Sequence, residues 1–372
     1  MTEKVVFLIT DLELGGSPLV VRRICRGLRE GGNWRPTVVS IKSPGVVGRW
    51  IRHEGVDVFG LHAHHPRDWS AARRWLGLLH EIRPHVVVSV LIHANALAAA
   101  CAPLAPRCVY LQSIHTLAPE PRWHWRLQGF IAGRCEGIIA PSRAILRRIA
   151  AFGPFAQGFV TPNGIDLERF TRAAALPPEK RPWPAGARVV GYIGRFDPVK
   201  RLDLLIRAAA RLIVGDYTRW ENLYVALVGY GPEEKRLRTL AARLGVASHV
   251  AFCGATNIPE TLYKCFDVLC LPSVVEGFGM TIIEAMAAGV PVLACRSPAL
   301  EEIIVHGANG WLVQGASPHA ISEGIAQILN NAALRERLKV GAGATVQNFT
   351  AEKMVAGYEK ILRNFSSLPA TR

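Results

Sequence analysis

The stretch that decides the fold is Leu271–Cys295, LPSVVEGFGMTIIEAMAAGVPVLAC. DVLCLPS, leading into it, is an apolar run expected to form a buried strand. TIIEAMAAG reads as a short alanine-rich helix and PVLAC as the next strand. Between strand and helix stands Glu276-Gly277-Phe278-Gly279, and a second carboxylate, Glu284, follows eight residues after the first. The turn from Gly277 to Met280 aims backbone N–H groups above the sheet, and a helix beginning near Gly279 adds the positive end of its dipole. That is a phosphate cradle, with Glu276 in the loop ahead of it and Glu284 in the second helical turn. Two carboxylates around an anion site suit a ligand with hydroxyls on both sides of a phosphate, such as a nucleotide sugar. An isolated glutamate pair is usually solvated surface; the glycines and the strand–helix–strand frame argue otherwise here.

The same frame recurs along the chain. KVVFLIT, PTVVSIK, HVVVSVL and RCVYLQS, then ARVVGYIG, LYVALVG, HVAFCG and PVLAC, alternate with helix-like segments, which predicts parallel sheets covered by helices on both faces. At 372 residues the chain is too long for one ordinary core. A proline- and charge-rich stretch, Leu167–Ala187, reads as a linker and divides it into an N-terminal Rossmann-like domain, 1–170, and a C-terminal one, 171–349. Each holds about six strand candidates. Thr350–Phe365 has the apolar spacing of a helix.

Several loops carry polar chemistry. LITDLELGGSPLVV places Gly15 and Gly16 at a strand-to-helix turn, where Ser17 can cap and Pro18 suits the first turn. A glycine loop entering a helix is an anion site by geometry, although Gly-Gly also serves plain turns. QSIHT sets His115 just past a strand, at the carboxyl edge where doubly wound folds gather ligands. In GYIGRFDPVKR, Arg195 and Lys200 follow a strand end, from which both cations can reach a diphosphate. Gly229 and Gly231 in LVGYGPEEK leave room for a nucleotide. Ser142 and Arg143 in IIAPSRAI, and Asn163, Gly164 and Asp166 in VTPNGID, read chiefly as turns, with Asn163 a candidate lining residue.

Glu276-x7-Glu284 within EGFG…EAMAAGVPV, the GYIGR…K stretch and the GGSP loop together resemble the family 4 retaining glycosyltransferases, and the likeness extends from Asp11 to about Ile325. The resemblance implies a GT-B fold, two Rossmann-like domains facing across a cleft, with the acceptor on the first, an NDP-sugar on the second and the C-terminal helix, within 350–372, crossing back to the first. It implies that His115 lies by the donor sugar, that Glu276 holds sugar hydroxyls supported by the backbone of Phe278, Gly279, Met280 and Thr281, and that Glu284 holds the ribose. Arg195 and Lys200 would neutralise the leaving diphosphate, with the amides of Gly15 and Gly16. Gly254, with Ala255 and Thr256, would address the base through the backbone of CGATN. Ser17-Pro18 departs from the family's small-acidic pair, and Arg201 stands where the family often has glycine. No Asp-x-Asp is present, so no metal and no cofactor is expected. Two other readings remain open: a dinucleotide-binding oxidoreductase, against which stands the lack of Gly-x-Gly-x-x-Gly after the first strand, and a non-catalytic binding protein.

Composition bounds the partners. The net charge of +15 favours an acidic partner, and no nucleic-acid motif is visible. Arginines sit beside aromatics in the N-terminal half: Arg22, Arg23, Arg26, Arg73, Arg74, Arg147 and Arg148 near Trp69, Trp75, Phe152 and Phe155. These suit a cytoplasmic protein peripheral to an anionic membrane and handling a lipid-linked acceptor, or else are solvated helix faces. No signal peptide and no membrane-spanning run is read from the sequence. The eight cysteines lack Cys-x-x-Cys spacing and are expected as reduced thiols. HAHH at His62–His65, ahead of Pro66, reads as loop rather than metal site.

Overall fold

The computed structural model describes residues 2–65, 68–117 and 123–366. The chain packs as two compact units: one runs to Gly164 and takes back the segment from Thr350, and the other is Ile165–Phe349. Each is a parallel sheet covered by helices, the doubly wound architecture of GT-B proteins.

In the first unit the strands are β1 (Glu3–Ile9), β2 (Trp34–Ser40), β3 (Asp57–Gly60), β4 (Val86–Val90), β5 (Val109–Ser113), β6 (Gly137–Ala140) and β7 (Gly158–Val160), in the order β3-β2-β1-β4-β5-β6-β7. In the second they are β8 (Arg188–Ile193), β9 (Leu223–Val228), β10 (Val250–Phe252), β11 (Val268–Leu271), β12 (Val292–Cys295) and β13 (Trp311–Val313), in the order β10-β9-β8-β11-β12-β13. Every pairing is parallel. Both sheets reverse direction beside their first strand, so each has a switch point, between β1 and β4 and between β8 and β11. Ligands of such sheets bind outside the carboxyl ends of the strands at that point.

Continuous β-branched runs form the central strands because both faces are covered. Val5 to Ile9, Val86 to Val88 and Val225 to Leu227 have no exposed surface. The helix Gly16–Glu30 packs against Ala351–Ser366 so closely that a Cβ on Gly27 would lie 2.5 Å from Val355. Met354, Tyr358, Leu362 and Phe365 of the latter helix are buried, and Phe365 meets Phe159 edge-on. Positions 367–372 of the expected closing segment lie outside the described residues.

Two expectations need correction. The domain boundary falls at Gly164, not at residue 170, because Ile165 and Phe170 are fully buried in the core of the second unit. The supposed linker is likewise not free: Leu167–Thr171 is a helix capped by Asp166, and Trp183 is buried in the same core. Its prolines mark turns on the unit's surface rather than a tether.

The basic patch also contracts. Trp75 is fully buried, Arg22 is paired with Glu54 at 2.6 Å, and Arg74 donates to the carbonyl of Leu61. Trp69, 83% exposed, and Arg73 stay outward, as does the surface of the helices His124–Ala132 and Arg143–Ala150, with Trp123, Phe130 and Phe152 exposed beside Arg126, Arg134, Arg147 and Arg148. No helix among the described residues is long and apolar enough to cross a membrane. The cysteines are free thiols.

Candidate functional site

In the Ile165–Phe349 unit the switch point is flanked by the loops after β8 and β11. The first turns at Gly194 and runs through Arg195 and Asp197 into a single 3-10 turn, Pro198–Lys200. The second carries Ser273 and Glu276 and ends where Gly279 caps the helix Met280–Ala287. Lys200 Nζ donates to Glu276 Oε1 at 2.6 Å, and Ser273 Oγ donates to the same oxygen at 2.5 Å. The crevice is therefore bridged by an ion pair whose carboxylate side chain is only 9% exposed. At that depth the pair is little screened, and neither charge can lose its partner cheaply.

The helix Met280–Ala287 starts on a left-handed glycine. Gly279 has φ 97°, and a Cβ there would lie 2.6 Å from Leu300, so only glycine lets the chain enter the helix at this angle. No side chain caps the helix and its first turn holds no acid, which leaves its leading N–H groups without a side-chain acceptor. The Phe278 side chain is buried against Phe349, so only its backbone can face a ligand. Glu284 stands in the second turn, its Oε2 accepting from the buried Tyr263 hydroxyl at 2.9 Å.

Two tyrosines floor this crevice, and neither stood out in the sequence. Tyr192 donates to the carbonyl of Arg195 at 2.9 Å and so fixes the loop that carries it. Burial, with Glu276 nearby, raises its phenol well above the ordinary value; burial and Glu284 do the same for Tyr263. Both hydroxyls stay protonated donors. Ser273 was missed as well, though a serine three residues before a glutamate in a glycine loop is a pattern that could have found it. Arg195 itself is not drawn into the pair. It holds Asp197 at 3.1 Å with its side chain 67% exposed.

Arg201 has φ 52°, which explains its standing where glycine is common: this is a left-handed position that a non-glycine residue adopts under strain. Asp203 holds the guanidinium at 3.1 Å. Gly229 (φ 135°) sits so close to Gly194 that a Cβ would meet its carbonyl, and its own N–H donates to Gly254 at 2.7 Å. The ends of β8, β9 and β10 are thus joined by glycine backbone, with Gly254 and Ala255 exposed.

In the first unit Gly15 caps the helix Gly16–Glu30 in extended conformation with no side-chain bond, so Ser17 lies inside the helix rather than at its cap. Leu91, after β4, has φ 73° and ψ 158°, a strained conformation for leucine. His115 follows β5; its Nε2 lies 2.9 Å from Ser113 Oγ, which lies 2.9 Å from the Tyr358 hydroxyl. His115 Nδ1 is buried without a partner, and burial pushes the imidazole down to about 4, so the ring is neutral at pH 7. Ser142 and Asp166, read as turn residues, are N-caps of the helices Arg143–Ala150 and Leu167–Thr171, while Asn163 is buried with its Oδ1 unpartnered.

Among the described residues no three of His, Cys, Asp and Glu gather as metal ligands. In HAHH, His62 hydrogen-bonds Ser43 at 3.3 Å; Pro66 lies outside the described residues.

Known proteins match the two halves separately. Residues 177–343 fit the sequence family "Glycosyl transferases group 1", and residues 14–169 fit "Glycosyltransferase Family 4". D-inositol 3-phosphate glycosyltransferase 2 of Catenulispora acidiphila is 36% identical over 59% of this chain and 57% of its own. The D-inositol 3-phosphate glycosyltransferase of Streptomyces bingchenggensis is 29% identical over 94% and 77%. The chain spans little more than half the length of the first of these. Among solved structures, HepE of Anabaena with UDP and glucose is similar at a TM-score of 0.85 and 23% identity, covering 98% of this chain and all of that one. WaaG, a glycosyltransferase involved in lipopolysaccharide biosynthesis, gives 0.75 at 17%, with 98% and full coverage. At these identities the structural likeness speaks for the fold.

Proposed function

The chain belongs to the group 1 glycosyltransferases of family 4, and from that membership we propose that it is a retaining, metal-independent hexosyltransferase moving a sugar from an NDP-sugar to an acceptor hydroxyl. The observation that carries this reading is the Lys200–Glu276 pair across the β8/β11 crevice, beside an uncapped helix start. A nucleotide sugar divides such a pair between its own groups. The diphosphate takes the ammonium and the helix amides; a sugar hydroxyl takes the carboxylate. Glu284 then meets the ribose, and the Gly254 loop meets the base.

In the reaction the bond from the anomeric carbon to the leaving phosphate oxygen breaks. The acceptor oxygen bonds to the same face, and its proton passes to the departing diphosphate. Lys200 and Arg195 stabilise the charge that develops on that group, which is where most of the barrier can be lowered. His115, neutral, and the amides at Gly15 and Gly16 complete the assignment. UDP is the better first choice of carrier, because HepE is known with it. The relatives' names make D-inositol 3-phosphate the first acceptor to try, ahead of lipid-linked sugars. A hydride-transfer role has no comparable support.

Purified protein with UDP- or GDP-sugars and these acceptors should release nucleotide and give a product of retained anomeric configuration, with or without EDTA. An inverted product, or no transfer from any donor that raises the melting temperature, would sink the reading. The membrane proposal concerns the Trp123/Phe130/Phe152 surface. Each basic residue there contributes about 1 kcal/mol at an anionic bilayer, screened by salt. Vesicle co-sedimentation should rise with anionic lipid and fall with salt; equal binding to neutral vesicles would remove it.

A further inference from the structure

We propose that Tyr358 and Ser113 are positioning residues that hold His115 as the Nδ1–H tautomer, with Nδ1–H kept as a hydrogen-bond donor to an oxygen of the sugar donor. The inference rests on placing His115 at the donor, as the proposed function does. Its starting point is the chain of contacts Tyr358 Oη–Ser113 Oγ–His115 Nε2, both links 2.9 Å long. Tyr358 comes from the helix Ala351–Ser366 and is 2% exposed, and Ser113 is 1% exposed.

Protons can run along this chain in two directions. If the phenol donates to Ser113, the serine donates onward to Nε2, which accepts, and the imidazole proton sits on Nδ1. If instead Nε2–H donates to Ser113, the serine donates to Tyr358, and the phenolic proton is left with no acceptor. Among the described residues Ser113 is the one hydrogen-bond partner of Tyr358, and His115 Nδ1 has none. The first direction therefore leaves one buried polar group unsatisfied, and the second leaves two. Each such group costs its full desolvation, so the first direction wins. Tyr358 supports this as a donor: burial pushes its phenol up to about 12, so it keeps its proton throughout the working range.

The remaining unsatisfied group is then Nδ1–H, a neutral donor held by a residue pair 245 positions apart in sequence. A sugar hydroxyl or phosphate oxygen of the donor can accept from it. Ser113 and Tyr358 touch no ligand in this scheme; they decide which nitrogen carries the proton.

Long-range proton–nitrogen NMR of the histidine-labelled full chain tests the tautomer without relying on activity. The wild type should show a pyrrole-type Nδ1 and a pyridine-type Nε2 at His115. Tyr358→Phe and Ser113→Ala should give mixed tautomers, and with UDP-sugar lower kcat about five- to tenfold, the worth of one neutral hydrogen bond, with KM within twofold. Ser113→Thr, which keeps the hydroxyl, should restore both. A wild-type ring protonated on Nε2, or a Tyr358→Phe ring unchanged from wild type, would overturn the proposal. A shifted tautomer with unchanged kcat would overturn the assignment of His115 to the donor. Loss of all transfer in the wild type, with the tautomer as expected, would instead refute the proposed function.

Discussion

The two sheets share one strand order, yet their switch points carry opposite polar states. Between β8 and β11 a cation, a carboxylate and a serine hydroxyl satisfy one another. Around the β1/β4 crevice the polar groups are unfinished: Leu91 is strained, Asn95 Oδ1 is buried without a partner, and one strand over so is His115 Nδ1. A closed pair is stable alone and exchanges partners with a ligand that brings its own charge and hydroxyls. Unpartnered groups weaken the empty fold and are repaid only when something binds. The two crevices thus differ in their hydrogen bonds as well as in their loops.

Breaking the closed side should cost most. Lys200→Ala leaves a buried, unpaired Glu276, and we expect about 3 kcal/mol less stability in urea unfolding together with about a hundred- to thousandfold slower transfer. Arg195→Ala should slow transfer on a similar scale while shifting stability by no more than about 0.5 kcal/mol, since its pair with Asp197 is mostly exposed. Equal stability of the two variants would mean that the crevice is not held by its ion pair.

The unfinished side should show itself in acid. His115 has an ordinary value of 6.5 unfolded and about 4 folded, so the unfolded chain binds the extra proton. Its contribution is fully present above pH 6.5 and is lost as pH falls towards 4. The total is roughly 3 kcal/mol at one pKa unit per 1.4 kcal/mol. Stability of His115→Gln followed over this window should be flatter than wild type by most of that amount; parallel curves would show that the ring titrates freely.

Smaller effects sharpen the contrast at the loops. Gly279→Ala should destabilise by about 1–3 kcal/mol through its φ and its approach to Leu300. Arg201→Gly should stabilise by about 0.5–1 kcal/mol, because relief of the left-handed strain outweighs an exposed pair with Asp203. A loss on Arg201→Gly would show that the Asp203 contact is worth more than the strain.

What the sequence revealed followed its strongest periodic signals. Long β-branched runs marked the central strands, but β3, β6, β7 and β13, three or four residues each, were not singled out. Glu276 and Glu284 were visible because a glycine turn and a helix start lie in one local stretch. Lys200 was visible too, but not its pairing, which joins residues 76 apart. Phe170 and Trp183 were hidden by the prolines around them, since composition reports turns and not what an aromatic ring between turns will bury. Tyr192, Tyr263 and Tyr358 look like any core tyrosine until their hydroxyl partners are known.

The return of Ala351–Ser366 to the first unit reorders assembly on the ribosome. Residues up to Gly164 emerge before the second unit, yet the groove along Gly16–Glu30 that receives Val355, and the site where Phe365 meets Phe159, stay unfilled until Ala351–Ser366 has been made. The Ile165–Phe349 unit, continuous in sequence, can close its core before then. The half translated first is the half that finishes last, and during that interval it exposes apolar surface that a chaperone would find.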